Sequence, residues 1–540
     1  MSNLVIPDDL KILQTTMASP AIIERSQITL YPVGDSTVTS GSGSIQSGRI
    51  RFDMPVMARK SYDCSTLFLH FNFKINIAGA TKSAAANHSR IHVHDSIESI
   101  FKTVTVDVAG GAQRLEYIDN YNALESALNN YCSSEYLNTF GGPCFKAGLH
   151  SNTRNKIYHD YQNLATLTTA GERTVQMTVP LRLSGVSSTD FQLASSLFGS
   201  GGFLTITIDL EAPSACIIAT QTSNVSVATG AISGGNATAL TGTAISYTLS
   251  NIRMTVDTLT YSAEYEDMLA NALASSRLVY PIKTFDVQVR NINAGVTKFT
   301  ENLNFNYSSV NAIYIWFVRQ TEQNSHLFAG KDRLVYPDNI SDIQLRINGI
   351  NVPASRPLDL QRGATEAYAS TIKALGMLHT TEQYGGMYSD LNTLHTVPVD
   401  GTWNGVIGSV YQNKDVFYGA NRPADYGLVN KVQTATGEGN PGVAHTSALS
   451  LAANQEGIPI CVYGREMAPS RFLIGFNLKK LLKSAPSEIS GENLLSTSGQ
   501  IQYEVNFNSP GVEAGGLQMY LACHVDKFIE LSSQMVRVNQ

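Results

Sequence analysis

Residues 339–352 read NISDIQLRINGINV, with apolar side chains at Ile343, Leu345 and Ile347, then Asn348-Gly349, then Ile350 and Val352. Alternation with a period of two puts one set of side chains on one face of a strand. An Asn-Gly pair between two such runs predicts a two-residue hairpin turn, because both residues tolerate positive φ. The same signature occurs earlier. SIESIFKTVTVDVAGGAQRLEYI (96–118) carries Ile97, Ile100 and Val104 where the later segment has Ile340, Ile343 and Ile347, and it turns at Gly110-Gly111. A helical pattern follows each hairpin, IDNYNALESALNNY (118–131) and DLQRGATEAYASTIKAL (359–375).

Further windows repeat in the same order. GFLTITIDLEAP (202–213) aligns without a gap on GQIQYEVNFNSP (499–510): Leu204, Ile206, Ile208 and Leu210 fall on Ile501, Tyr503, Val505 and Phe507. Each window starts with Gly and ends at Pro, which stops a ladder because it has no N–H. The upstream flanks 181–201 and 476–499 both read as a strand end, a polar loop and an apolar helical turn, Leu193 and Leu197 matching Leu494 and Leu495. SNIRMTVDTLTYSAEY (250–265) and LQMYLACHVDKFIELSSQ (517–534) close the two copies. The chain is written twice.

This divides the chain into an N-terminal arm (1–25), a first unit (26–262) with an insertion at 214–245, a linker helix (263–280), and a second unit (281–540) with an insertion at 376–460. The linker carries Tyr265, Leu269 and Leu273 at helical spacing. The later windows lie further apart than the early ones, so the second copy has gained residues, and 376–460 is the stretch with least periodicity. Segment 214–245 is small, uncharged and rich in Gly and Thr, a flexible composition. Each unit holds about eight short strands, with no strand–helix alternation and no βαβ glycine signature, which argues against a parallel sheet. The expected fold is all-β: two tandem eight-stranded antiparallel jelly rolls with short helices and long inserted loops.

Composition sharpens this. Only 15% of the 540 residues are charged, below the ~25% of an average soluble protein, while Gly (42), Tyr (24) and Phe (20) abound. That is the composition of strands joined by polar loops, with a surface suited to being covered by neighbours. A net charge of −6 argues against nucleic-acid condensation, and no specific nucleic-acid binding is expected. The densest basic strip, Lys479, Lys480 and Lys483, reads as a solvated face whose stems cover apolar surface. The six cysteines are isolated and form no CxxC, so they read as small buried hydrophobes in a reducing compartment. The start, MSNLVIPDDLKILQ, lacks a signal-peptide pattern. AIYIWFV (312–318) is too short to span a membrane and fits a buried strand.

Motifs for catalysis are missing from the sequence. GEGNPG (437–442) fits GxGxxG without a preceding strand, and GAISG (230–234) puts Ser233 one place from a nucleophile elbow. No catalytic residue and no cofactor is expected. His88, His92, His94 and Asp95 in NHSRIHVHD could bind a transition metal or make a pH-dependent subunit contact. The plainer reading is a polar loop entering a strand, with solvated histidines. In the large insertion, Tyr384, Tyr388, Trp403, Tyr411 and Tyr418 stand among few charges, as at protein interfaces. They are expected to make a protein interface, since a loop this long is usually functional or disordered; a sugar-stacking platform and simple packing under the loop are the alternatives.

With its two copies, a helix after each early hairpin and large loops on each unit, the layout resembles the double jelly-roll major capsid proteins of tailless icosahedral double-stranded DNA viruses. Among these it is similar to the smaller virophage and polinton-like type. The resemblance covers the chain from about residue 26 onward. It implies a homotrimer with a pseudo-hexagonal outline, loops forming an outer crown in which the 376–460 insertion interlocks around the three-fold axis, and termini at the base near minor capsid proteins or an internal membrane. It also implies neighbouring capsomers and penton proteins as partners, and a place in the virion after synthesis in the host cytoplasm or nucleus. Two other functions fit a β-rich chain. A glycan-binding or glycan-cleaving β-sandwich protein would ordinarily carry a secretion signal. A viral vertex or spike protein would not need the duplication.

Overall fold

Alternating burial builds two sandwiches. The principal strands of the first are β1 (Ile22–Leu30), β2 (Arg49–Met54), β3 (Lys60–Asn76), β4 (Phe101–Val108), β5 (Gln113–Ile118), β6 (Thr174–Pro180), β7 (Leu204–Leu210) and β8 (Ser246–Tyr261). Those of the second are β9 (Leu278–Ile292), β10 (Lys298–Leu303), β11 (Val310–Arg319), β12 (Ile340–Ile347), β13 (Ile350–Val352), β14 (Leu473–Asn477), β15 (Ile501–Phe507) and β16 (Leu517–Leu531). The computed structural model describes residues 22–40, 48–76, 80–81, 86–93, 97–108, 113–129, 159–162, 174–187, 193–195, 203–223, 237–239, 241–242, 245–275, 278–303, 305–320, 337, 339–353, 356–360, 365–376, 395–397, 458–460, 473–480, 490–495, 501–531 and 536–539.

In the first half the sheets run β1-β8-β3-β6 and β2-β7-β4-β5. In the second they run β9-β16-β11-β14 and β10-β15-β12-β13. Every label has moved by the same step, and every pairing is antiparallel. This is the jelly-roll order built twice, as the repeat predicts. Phe71, Phe73, Val106 and Ile206 fill the first sandwich, and Ile315, Phe317, Leu345 and Tyr503 the second, each at most 2% exposed. Burying a side chain of this size contributes about 1.5–3 kcal/mol.

The opening hairpin forms as predicted. Asn348 (φ 52°) and Gly349 (φ 77°) join β12 to β13, the geometry of a type I′ turn. A side chain at Gly349 would meet nothing within 4 Å, so its cost is purely conformational. Gly349→Val is expected to destabilise the chain by more than ~1 kcal/mol, read as a lowered melting temperature. An unchanged melting temperature would remove the turn assignment.

Strand register corrects one detail of the repeat. Val104 lies opposite Ile208 and Ile343 opposite Val505. Because Ile208 and Val505 are matched in the repeat, the equivalent of Val104 is Ile343, not Ile347. The shift is even, so the same face stays buried and the alternation pattern cannot detect it. A second correction concerns Leu193. Instead of starting a helical turn, Leu193–Ala194 pairs with Tyr62 and Ser61 of β3, and Glu492 likewise bridges Val310. A third concerns 214–245, where Ile217–Ser223 and Ala237–Ala239 are paired strands. The first strand begins at Ile22, within the span read as an arm, and Arg25 there pairs with Asp63 and Asp257 of β3 and β8.

The helices Tyr121–Asn129 and Thr365–Leu375 follow β5 and β13. A third, Ala263–Ser275, joins the two rolls. Ser262 caps it: its hydroxyl accepts the Tyr265 N–H at 3.2 Å. No helix among the described residues is long and apolar enough to cross a membrane.

Candidate assembly interface

β5 lies at the edge of its sheet, yet Leu115 and Glu116 are both fully buried. A register shift between Val106 and Asp107 lets Glu116 pair with Val106 and leaves Leu115 bulged. A buried carboxylate at a sheet edge needs a cover. The start of β9 and the end of β16 supply it. Ile282, Ile529 and Leu531 belong to the same apolar cluster as the first roll's core. Lys527 Nζ donates to the Leu115 carbonyl at 3.2 Å and sits 5.7 Å from the centre of the Tyr307 ring. The C-terminal strand Val536–Asn539 adds a bond, the Val538 N–H donating to Gln113 Oε1 at 2.8 Å.

Glu116 is the hub of this contact. Its Oε2 accepts the Ser184 hydroxyl and its Oε1 the Gly185 N–H, both at 2.5 Å. Burial pushes its pKa up, against the pull of these donors and of Lys527. Burial pushes the Lys527 ammonium down, against Glu116 and Asp286. Position 185 must be glycine for the rolls to meet. A Cβ there would fall well inside contact distance of Ile282 Cγ2 and the Lys283 carbonyl, and 2.6 Å from Glu116 Oε1.

The outward faces of the two first sheets differ in character. On β11, Ala312, Tyr314, Trp316 and Val318 face away from the second roll's own core, yet are at most 3% exposed. Tyr520 stacks on Trp316 with ring centres 5.3 Å apart, and Tyr314 donates to the Ala374 carbonyl of the overlying helix at 3.1 Å. The matching face of β3 is polar: His70 bonds Thr178 at 2.9 Å and Thr255 at 2.8 Å. Burial, then Arg253, lowers the His70 pKa.

A second buried charge lies behind β5. Arg182 donates twice to Glu125 Oε1, at 3.0 and 2.6 Å. Glu125 is fully buried on the helix Tyr121–Asn129, with Glu98 also nearby. Burial, reinforced by Glu98 and opposed by Arg182, pushes the Glu125 pKa up to about 7.

The residues singled out from sequence lie elsewhere. His88 and His92 sit on the strand Ala86–Val93, in an accessory sheet ordered Ala237–Ala239, Ile217–Ser223, Ala86–Val93, His159–Gln162. The backbone register sets His88 beside Thr222 and Gln162, and His92 beside Ile218. His94 and Asp95 lie outside the described residues, as do Tyr384, Tyr388, Trp403, Tyr411 and Tyr418. Among the described residues no group of three or more His, Cys, Asp or Glu is placed to hold a metal. Cys64, Cys216 and Cys523 are buried, as expected of isolated cysteines. Of the basic strip, Lys479 is half-buried and its pKa is lowered, chiefly by burial and then by Lys283. The sequence reading missed Glu116, Gly185 and Lys527, because the contact joins positions far apart in the chain.

No protein-family model matches the chain, and no curated protein matches its sequence. Solved structures do match in shape. The Faustovirus major capsid protein overlaps with a TM-score of 0.51 at 10% identity, over 97% of this chain and 94% of that one. A chain in the structure of the Sputnik virophage gives 0.49 at 12% identity, over 97% and 90%. The mavirus major capsid protein gives 0.42 at 10% identity, over 95% and 90%. The likeness to the Faustovirus protein spans both rolls, so the double jelly roll is a shared fold.

Proposed function

We propose that this chain is the major structural subunit of an icosahedral virus shell, assembling as a homotrimer whose six similar sandwiches give a pseudo-hexagonal capsomer. One observation carries this reading. Two complete jelly rolls with identical strand order are docked within one chain through a buried contact, in a fold shared along its length with the Faustovirus major capsid protein. Two rolls per chain let three chains present a six-fold outline, which packs on a hexagonal lattice. The role is mechanical rather than catalytic, and its place is the virion shell. Neighbouring capsomers, penton and minor capsid proteins are its partners, and a membrane under the base is compatible with it. The aromatic insertion 376–460 extends the trimer contacts at the outer crown, and the His88–Asp95 segment serves as a polar surface element rather than a metal site.

The purified protein is expected to run in light scattering at three times the 58.5 kDa chain mass. Electron micrographs should show particles of hexagonal outline. A chain that stays monomeric at micromolar concentration would overturn the shell reading.

A further inference from the structure

Inside the chain, β5 of the first roll is covered by the start of β9 and the end of β16. The repeat gives each participant a counterpart, and strand register identifies it. Glu116 pairs with Val106, and Val352 with Leu345. Val106 and Leu345 lie opposite Ile206 and Tyr503, which are matched in the repeat, so Val352 holds the place of Glu116. On the other side, Leu69 pairs with Met254 and Ile315 with Leu521. Following these strands outward matches Glu24 to Ile282 and Thr260 to Lys527.

Both counterpart faces are open. Around Val352 lies a notch of about 410 Å³ between β13, the helix Thr365–Leu375 and the end of β14. Val352, Pro353, Leu358 and Phe476 wall it, with Lys373 and the ion pair Arg356–Glu366 beside them. Ile350, next to it on β13, is 66% exposed. At the start of β1, Ile22 is 45% and Ile23 66% exposed, although both are large and apolar. Exposed apolar residues that cluster, rather than scatter, mark interaction surfaces.

We propose that the notch beside β13 receives the start of β1 from a second copy of this chain, repeating between copies the contact that β5 makes with β9 within one. This rests on the shell-subunit reading and names the surfaces through which that subunit associates. Each copy carries one notch and one strand start, so the contact is head-to-tail and closes into a ring when its rotation allows.

Charge supports the pairing. Within the chain the acid, Glu116, belongs to the β5 face and the base, Lys527, to the docking strands. In the counterpart faces the signs are exchanged: Arg356 is paired with Glu366 at the notch, which leaves Lys373 as its exposed charge, and Glu24 belongs to the strand. A second roll offered to the notch would bring Lys283 and Lys527 towards Lys373. A first roll offered to β5 would bring Glu24 towards Glu116. Like charges oppose both mismatches, which favours alternation of first and second rolls around the ring.

Ile23, Glu24 and Lys373 are exposed, so changing them leaves the fold intact. Ile23→Asp and Lys373→Glu are each expected to raise the concentration at which trimers dissociate, measured by mass photometry, by about tenfold or more. Glu24→Lys combined with Lys373→Glu should recover most of that loss. Trimers that form in the parent but are indifferent to either single change, or are not recovered by the exchange, would overturn this surface and leave the shell reading standing. A parent that forms no trimer would overturn the shell reading itself.

Discussion

A valine at position 185 is expected to unseat the two jelly rolls from each other. Its Cβ would press on Ile282 Cγ2, on the Lys283 carbonyl and on Glu116 Oε1. None of these can swing aside. Ile282 is 1% exposed, the carbonyl is backbone, and Glu116 is held by two donors at 2.5 Å. Overpacking a tight site costs about 1–3 kcal/mol. Displacing the Gly185 N–H also strips a donor from a buried carboxylate, a further ~1–3 kcal/mol or more. The sum, about 3 kcal/mol or more, falls on the contact between the rolls rather than on either core. Calorimetry should therefore show the parent's single transition split in two, and limited proteolysis should cut first near residues 276–277, between the helix and β9. A single transition at the parental temperature would show that the rolls do not meet through this glycine.

The contrast between Gly349 and Gly185 shows how far a sequence can be read. Gly349 was legible because a hairpin turn is local: Asn-Gly between two alternating runs names its own conformation. The inward faces were legible for the same reason, since a period of two survives any even slip in register. The match of Val104 to Ile347 therefore had the right face and the wrong residue. Glu116 could not be read from QRLEYI because the bulge at Leu115 breaks the alternation locally and turns a carboxylate towards a neighbouring roll. Gly185 is constrained by side chains almost a hundred positions away, which no local pattern encodes. The accessory sheet escaped because its strands come from three separate loops. Leu193–Ala194 escaped because a short apolar run reads equally well as strand or helix.

The Glu125 carboxyl is expected to cost the protein stability as pH rises from about 5 to 8, against the gain from His524 and His70, whose pKa values burial lowers, and Glu125→Gln is expected to remove that cost. In the folded chain burial pushes the Glu125 pKa from an ordinary 4.5 up to about 7. The folded state thus holds this proton more tightly than the unfolded state does. Below about 4.5 both states are protonated and the full stability is present. Between 4.5 and about 7 the unfolded chain ionises first, and folding must take the proton back. Above about 7 both are ionised and the loss is complete, on the order of 3 kcal/mol at 1.36 kcal/mol per unit. Glu116 acts in the same direction, since burial raises its pKa too. A glutamine keeps an oxygen for the two Arg182 bonds but has no proton to lose, so only the shared pH dependence should vanish. At acid pH the variant should match the parent, whose neutral Glu125 likewise leaves the Arg182 cation without a partner charge. Urea unfolding at pH 5, 6, 7 and 8 measures both chains. The parent's stability should fall by about 3 kcal/mol more than the variant's across that range. Equal slopes would mean that Glu125 is ionised in the folded chain throughout, paired fully by Arg182 despite its burial.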